Sequence, residues 1–106
     1  MPRFLLVLVL FAATGCDLQT SNQVILATDD GTRKLIYDCS NFRPQVETGE
    51  QRQLLSQASV QIIRHASAHQ RVVSAQAIRD AYKAKDWRRL EQLVVEYRCT
   101  NRREFR

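Results

Sequence analysis

The sequence contains few of the residues on which common enzyme and metal motifs depend. It has three glycines, three cysteines and two histidines among 106 residues. The scattered glycines form no phosphate-binding loop, and no serine stands in a Gly-x-Ser-x-Gly motif. There is no His-Glu-x-x-His motif and no Cys-x-x-Cys pair. We therefore predict that the protein is not an enzyme and has no catalytic residues, no cofactor and no metal ion.

Long apolar runs are also scarce, and the single one present is short. Ten consecutive apolar residues occupy positions 4–13, after Arg3 and before Thr14 and Gly15. A membrane-spanning helix needs about twenty such residues. A cation, a short apolar run and a small-residue exit together are typical of a secretory signal peptide. We therefore expect residues 1–15 to be removed during export.

The end of this segment carries a recognisable processing motif. Ala13-Thr14-Gly15-Cys16 resembles the lipobox of bacterial lipoproteins, in which a cysteine thiol carries the lipid. Such motifs usually have leucine or another larger aliphatic residue where Ala13 stands, and the resemblance covers residues 1–17. It implies a cell-envelope lipoprotein with a diacylglycerol and acyl chains such as palmitate on Cys16. The same small residues also suit ordinary signal peptidase and plain secretion.

Asp17 and the residues after it bear on where such a lipoprotein would sit. In enterobacterial lipoproteins an aspartate directly after the lipid cysteine retains the protein in the inner membrane. Asp17 therefore favours the inner membrane, with the outer membrane as the alternative and the domain facing the periplasm. Residues 16–23 form a short polar tether. At about 3.3 Å per residue its six residues from 17 to 22 reach roughly 20 Å, which keeps the domain near the membrane.

An odd number of cysteines in an exported protein leaves one thiol to be explained. If Cys16 carries a lipid, Cys39 and Cys99 remain as a pair. An oxidising compartment would allow them to form a disulfide. We predict this disulfide, with two free buried thiols as the alternative.

Residues 24–106 are enough for one small domain, which we expect to begin with a β-hairpin over 24–37. Two runs rich in β-branched residues flank Asp30-Gly31, and glycine accepts the positive φ of a tight turn. Two strands alone are marginal in water, so the hairpin must pack on helices or pair with a partner's sheet. Residues 38–48 are predicted to be a loop.

Three amphipathic helices are predicted after this loop, at about 49–69, 74–85 and 87–98. Thr48 and Gln51 form a capping box for the first helix. Ser74 is predicted to cap the second helix, with Val73 packing against Ile78, and Asp86 to cap the third. The predicted fold class is α+β and mostly helical, an N-terminal β-hairpin followed by a three-helix antiparallel bundle.

Several apolar and aromatic residues define the buried sides of the last two helices. The second helix is expected to bury Ile78, Ala81 and Tyr82. The apolar arc of the third helix contains Trp87, Leu90, Leu93, Val94 and Tyr97.

The two histidines, His65 and His69, are four residues apart and share one face of the first predicted helix. That spacing would let both reach one metal ion, but no third ligand is evident nearby. Both lie in the apolar arc near the helix C-terminus, where the helix dipole favours a protonated imidazole. We therefore expect partly protonated side chains that cover the edge of the core, with a metal site and a pH switch as alternatives.

The charge is concentrated in the second half of the chain. Residues 17–63 carry four basic and six acidic side chains, whereas residues 64–106 carry eleven basic and five acidic ones. Such a surface attracts anionic lipid headgroups or acidic protein faces. Nucleic acid is not expected as a partner in the cell envelope. The candidate partner-binding residues are Arg88, Arg89, Arg98, Arg102, Arg103 and Phe105.

Three functions are consistent with these observations. The first is a non-catalytic protein–protein interaction lipoprotein, such as an accessory or assembly subunit or an exclusion-type factor, with an envelope protein or an anionic surface as its partner. The second is a periplasmic enzyme inhibitor or ligand-binding lipoprotein that inserts the hairpin or loop 38–48. The third is a small hydrolase or metal-site protein that uses His65 and His69. Phe105 follows the last predicted helix and is expected either in a disordered tail or in a docking element.

Overall fold

A computed structural model describes residues 22–29 and 33–105. Two antiparallel strands are followed by three α-helices and a short 3-10 helix, which confirms the predicted fold class. The elements are β1 (Gln23–Asp29), β2 (Arg33–Asp38), α1 (Gly49–Ala68), α2 (Val72–Ala84), α3 (Trp87–Thr100) and the 3-10 helix (Arg102–Phe105). The predicted signal peptide, Cys16, most of the tether and the hairpin turn lie outside the described residues. None of the helices within these ranges has the length and hydropathy needed to cross a bilayer.

The hairpin packs one of its faces on the helices, as strand alternation requires. The side chains of Val24 and Leu26 on β1, and of Leu35 and Tyr37 on β2, are buried in the core. The strand register shifts between Ile25 and Ala27, so Leu26 is the extra residue of an irregularity in β1. Ile25 and Ile36 face each other across the strands and are exposed.

Helix α1 begins where the sequence predicted. The Thr48 hydroxyl accepts a hydrogen bond from the backbone N–H of Gln51, and the Gln51 side chain accepts one from the N–H of Thr48. This capping box satisfies two of the N–H groups that a helix start leaves unpaired. The residues that α1 buries are spaced three or four apart along one face: Leu54, Leu55, Ala58, Ser59, Ile62 and Ala66.

The turn between α1 and α2 is shorter than predicted, because α2 begins at Val72 and not at Ser74. Gln70 adopts a left-handed φ of 60°, its N–H donates to the Ser67 carbonyl, and the Arg71 N–H donates to the Ala66 carbonyl. This Schellman arrangement ends α1 tightly. The next helix then begins at Val72 with Arg71 as its N-cap, so the predicted Ser74 cap is wrong. Val73 is 85% exposed rather than packed on Ile78.

A second tight turn joins α2 to α3 as an antiparallel pair. Lys85 has a φ of 54°, and the Asp86 N–H donates to the Ala81 carbonyl. Asp86 then caps α3 by accepting a hydrogen bond from the Arg89 N–H, as predicted. Tyr82 was expected in the core but is exposed, because Ile78 and Ala81 face the other helices and Tyr82 lies at the border of that face.

The disulfide and a buried carboxylate fasten the loop after β2 to α3. Cys39 and Cys99 are bonded, which confirms the predicted pair. Glu91, with 1% of its surface exposed, accepts hydrogen bonds from the backbone N–H groups of Gln45 and Val46 through Oε2. The loop therefore lies against the body of the domain rather than projecting from it.

Helix direction gives the bundle two distinct ends. The Arg52 guanidinium, near the start of α1, lies 5.9 Å from the centre of the Trp87 ring at the start of α3. We call this the Trp87 end, and α2 finishes there. The last turns of α1 and α3 meet at the opposite end, where His65 contacts Tyr97. We call that one the histidine end.

Candidate functional site

Polar side chains from four elements converge at the histidine end. His65 comes from the last turn of α1, and His69 and Arg71 lie in the turn that follows. Tyr97 comes from α3 and Glu104 from the 3-10 helix. The capping turn at Gln70 sets the direction of Arg71, which reaches both Tyr97 and Glu104. The cluster therefore depends on tertiary packing of the chain end against α1.

His65 is held from both sides and is largely buried. Its Nδ1 atom lies 2.7 Å from the Tyr97 hydroxyl. Its ring stacks between the rings of His69 and Phe105, with centroid distances of 4.1 Å and 4.2 Å. Its Nε2 atom is buried, has no hydrogen-bond partner among the described residues, and lies 3.4 Å from Oε1 of Glu104.

The protonation expected for His65 from the helix dipole is not what its surroundings favour. Burial lowers the pKa of His65 below its usual value, and the neighbouring side chains of His69, Arg71 and Arg98 add to this effect. Glu104 acts in the opposite direction but does not outweigh them. Desolvation of the charged imidazole therefore exceeds the dipole effect at this position, and the neutral ring is favoured.

His69 is more exposed, and its own hydrogen bond defines its tautomer. Its Nδ1 atom lies 2.9 Å from the backbone carbonyl oxygen of His65. A carbonyl oxygen only accepts, so Nδ1 of His69 donates the hydrogen bond, and in the neutral ring the lone pair is on Nε2. That Nε2 atom is 3.5 Å from Oε1 of Glu104. Glu104 is thus the third potential ligand that the sequence analysis did not find near the two histidines.

Glu104 is fixed by a two-pronged ion pair with Arg71. The two guanidinium nitrogens Nη1 and Nη2 of Arg71 lie 2.8 Å from Oε1 and Oε2 of the carboxylate, respectively. Hydrogen bonding to Arg71 lowers the pKa of Glu104, so the group is a carboxylate at neutral pH. Nη1 of Arg71 also donates to the Tyr97 hydroxyl at 3.1 Å. Arg71 therefore orients the partners of both histidines.

The six candidate partner-binding residues are divided between the two ends of the bundle. Arg88 and Arg89 are exposed in the first turn of α3, whereas the other four lie at or beyond its last turn. Ten residues of helix separate Arg88 from Arg98, or about 15 Å along the axis. The six therefore do not form one continuous surface.

Phe105 and Arg98 take part in internal packing at the histidine end. Phe105 is partly buried against the core, and the Arg98 guanidinium lies 4.2 Å from its ring centre. Burial lowers the pKa of Arg98. Phe105 thus belongs to an ordered 3-10 helix and not to a disordered tail. Arg102 is half-buried there and Arg103 is exposed.

The Trp87 end carries a different set of cations. We define the basic end as five positively charged side chains at this end of the bundle: Arg52 near the start of α1, Lys83 in the last turn of α2, Lys85 in the turn after it, and Arg88 and Arg89 in the first turn of α3. Each of them is exposed, and Trp87 is half-buried. Three acidic residues also lie at this end: Asp86 caps α3, and Glu47 and Glu50 lie at the start of α1. This surface can attract an anionic partner and offer it an aromatic contact.

Sequence reasoning missed three charged residues that organise the structure. Glu91 carries a readable signal, because it lies four residues after Trp87 and three before Val94 and so falls on the apolar face of α3. Arg71 and Glu104 carry no such signal. They are 33 positions apart in sequence, and their pairing depends on how the chain end folds back.

Comparisons of this chain with models of protein families, with curated proteins and with solved structures found no match.

Proposed function

We propose that this protein is a small lipid-anchored lipoprotein of the bacterial cell envelope that works as a non-catalytic docking module. In this proposal the basic end binds an acidic surface on an envelope protein. The observation that carries the proposal is that five exposed cations lie at the same end of the bundle as half-buried Trp87, with Arg52 against its ring.

The chemistry of the basic end suits protein recognition. Arginine and tryptophan are enriched among the residues that dominate binding energy at protein interfaces. Trp87 provides apolar area, and the Arg52 guanidinium lies within cation–π range of its ring. Clustered cations also raise the rate at which an acidic partner is encountered, and salt weakens this effect. We therefore expect binding that weakens as ionic strength rises.

The position of the basic end relative to the anchor favours a protein over lipid headgroups. The chain enters the domain at Asn22, whose carbonyl oxygen accepts a hydrogen bond from the Cys39 N–H. Cys39 is bonded to Cys99 in the last turn of α3. Trp87 lies twelve residues away along this helix, or about 18 Å at 1.5 Å per residue. The basic end is thus opposite to the entry of the membrane tether.

The disulfide supports the proposed compartment. Disulfides persist in secreted and periplasmic proteins and are rare where glutathione and thioredoxin keep thiols reduced. The signal-like segment and the lipobox-like residues before Cys16 agree with export. Together they support a domain held on the periplasmic side of the membrane, with the inner membrane favoured by Asp17.

Site-specific photo-crosslinking in intact cells tests this function. A photoreactive amino acid replaces exposed Lys83 at the basic end in one strain, and Arg43 in loop 38–48 in another. Each is combined with the charge reversals Arg88→Glu and Arg89→Glu. The matched control reverses Arg64 and Arg103, which are exposed outside the basic end. Both double variants change the net charge by the same amount.

The proposal predicts one protein adduct from position 83 that is lost in the Arg88 and Arg89 reversal and retained in the control reversal. Adducts from position 43 that ignore both reversals would instead support the inhibitor or ligand-binding alternative. Adducts to lipid alone from position 83, or a protein adduct equally reduced by both reversals, would contradict docking through the basic end.

A further inference from the structure

We propose that His65, His69 and Glu104 form a zinc-binding site with two imidazole nitrogens and one carboxylate oxygen as ligands. The site lies at the histidine end, opposite to the basic end, and does not depend on the docking function. The Nε2 atoms of both histidines face the same carboxylate oxygen, Oε1 of Glu104, at 3.4 Å and 3.5 Å.

These separations are close to those that a zinc ion requires. Zinc binds nitrogen and oxygen ligands at about 2.0–2.2 Å, so neighbouring ligand atoms of a tetrahedral site lie roughly 3.3–3.5 Å apart. Both nitrogen–oxygen distances agree with this value. The three candidate ligand atoms all lie within 4.8 Å of one another. The two imidazole rings are stacked 18° from parallel, so the half-exposed His69 ring must turn out of the stack before both in-plane lone pairs reach one ion. A water molecule would take the fourth position.

The other nitrogen of each imidazole already has the partner that a zinc ligand needs. Metal-binding histidines usually donate their second ring N–H to a carbonyl, carboxylate or hydroxyl group, which fixes the tautomer. Nδ1 of His69 donates to the backbone carbonyl of His65 at 2.9 Å. Nδ1 of His65 lies 2.7 Å from the Tyr97 hydroxyl oxygen, which can accept a hydrogen bond from it. With the His69 ring turned out of the stack, both Nε2 atoms can present lone pairs to one ion.

The buried Nε2 atom of His65 provides an independent reason to expect an ion. It has no hydrogen-bond partner among the described residues, although its side chain is only 15% exposed. Leaving a buried polar atom unpaired costs free energy, and native structures usually provide a partner. A zinc ion between this atom and Glu104 would supply one.

Arg71 both orients the Glu104 carboxylate and limits the affinity of the site for zinc. Zinc on Oε1 of Glu104 would displace Nη1 of Arg71 from that oxygen, while Nη2 would keep its 2.8 Å contact with Oε2. The retained contact would hold the carboxylate in place. The nearby positive charge weakens affinity, so we expect a moderate site rather than a very tight one. Two imidazoles favour zinc over calcium or magnesium, which prefer oxygen ligands.

Zinc titration of the purified full chain in detergent tests this site. Cys16→Ser is present in every sample so that its thiol cannot bind the ion, and Cys39 and Cys99 are already bonded. Isothermal titration calorimetry with zinc chloride gives stoichiometry and affinity. Nitrogen NMR of the imidazoles reports which ring atoms bind, and the chain has only two histidines to assign.

The proposal predicts one zinc ion per chain and large shifts of both Nε2 resonances. His69→Gln and Glu104→Gln should each weaken binding at least tenfold, because each removes one ligand. Glu96→Gln is the matched control, since it makes the same charge change on the exposed face of α3 and should leave the affinity unchanged.

Two results would overturn the site. One is the absence of zinc binding by the unaltered cluster at about 100 μM zinc. That concentration is about a hundredfold above a micromolar dissociation constant and would saturate the site. The other is unchanged affinity in His69→Gln, whose side chain is 45% exposed and makes its one hydrogen bond to backbone. Circular dichroism confirms folding of each variant, because Glu104→Gln also breaks the pair with Arg71.

Discussion

The Tyr37 hydroxyl donates a hydrogen bond to Oε2 of Glu91 and so joins the hairpin to α3 across 54 positions of sequence. Both residues are 1% exposed. The same oxygen accepts the backbone N–H groups of Gln45 and Val46. A carboxylate is costly to bury unless it is well hydrogen-bonded, and these donors meet that requirement. One side chain thus fixes strand, loop and helix together.

Replacing Glu91 should destabilise the domain more than replacing any of its exposed acidic residues. Glu91→Gln keeps the shape but removes the charge that strengthens these hydrogen bonds, each of which contributes about 1.5–3 kcal/mol when charge-assisted. We expect the free energy of unfolding in urea to fall by about 2–3 kcal/mol. Glu96→Gln on the exposed side of the same helix should change it by less than about 0.5 kcal/mol. Equal effects would contradict the role of Glu91.

The stability of the domain should fall at alkaline pH through Tyr37. Burial, with the hydrogen bond to Glu91, raises the pKa of Tyr37 well above its usual value. The unfolded chain loses this proton near pH 10, whereas the folded chain keeps it. The contribution of Tyr37 is therefore fully present below about pH 10 and is lost as the pH rises above that value.

Urea denaturation between about pH 8 and 11 measures this dependence. Tyr37→Phe should flatten the decline, although it lowers stability at neutral pH by removing the hydrogen bond. Tyr82→Phe is the control. Because Tyr82 is exposed, this variant should show the same decline of unfolding free energy with pH as the wild-type protein. A slope unchanged by Tyr37→Phe would show that this hydroxyl does not cause it.

Removing the disulfide should cost much of the stability of so small a domain. Cys39 and Cys99 are 60 positions apart, and closing a loop of this length is worth about 4 kcal/mol in the chain-entropy model. The double variant Cys39→Ala, Cys99→Ala should therefore unfold at markedly lower urea concentration.

Electrophoresis without reductant tests whether this bond is intrachain, and it should show one compact band for the wild-type protein. Dimers linked through these cysteines would contradict the intrachain bond.

The two left-handed turn residues offer a route to a more stable protein. Gln70 and Lys85 have φ values of 60° and 54°, where side chains other than glycine are strained by about 1–2 kcal/mol. Glycine relieves this strain but adds freedom to the unfolded chain, so Gln70→Gly and Lys85→Gly should each gain about 0.5–1 kcal/mol. Lys83→Gly, within α2, should instead cost about 1 kcal/mol. A loss in all three would contradict the turn assignment.

The parts of the fold that the sequence predicted are those encoded by neighbouring residues. Thr48 and Gln51 form their capping box within one turn, and alternation in the hairpin directs Leu35 and Tyr37 inward. The start of α2 was misplaced because the Schellman turn at Gln70 uses glutamine where glycine is the usual signal.

The cluster at the histidine end could be predicted only in part, because only two of its members are encoded by neighbouring residues. His65 and His69 share a helix face because they are four residues apart, and this spacing can be read directly. Glu104 reaches them through the 3-10 helix, whose position depends on Phe105 packing against His65. No local pattern encodes that contact, so the third candidate ligand became visible only in three dimensions.

The proposed function requires a lipid on Cys16 that holds the domain at the membrane. Labelling of growing cells with a clickable fatty acid, followed by membrane fractionation, measures it most directly. We expect label on the wild-type protein in the membrane fraction, and neither label nor membrane association for Cys16→Ser. Cys39→Ala with Cys99→Ala should remain labelled. A Cys16→Ser protein that keeps its fatty acid, or stays in the membrane fraction as before, would show that Cys16 is not the anchor.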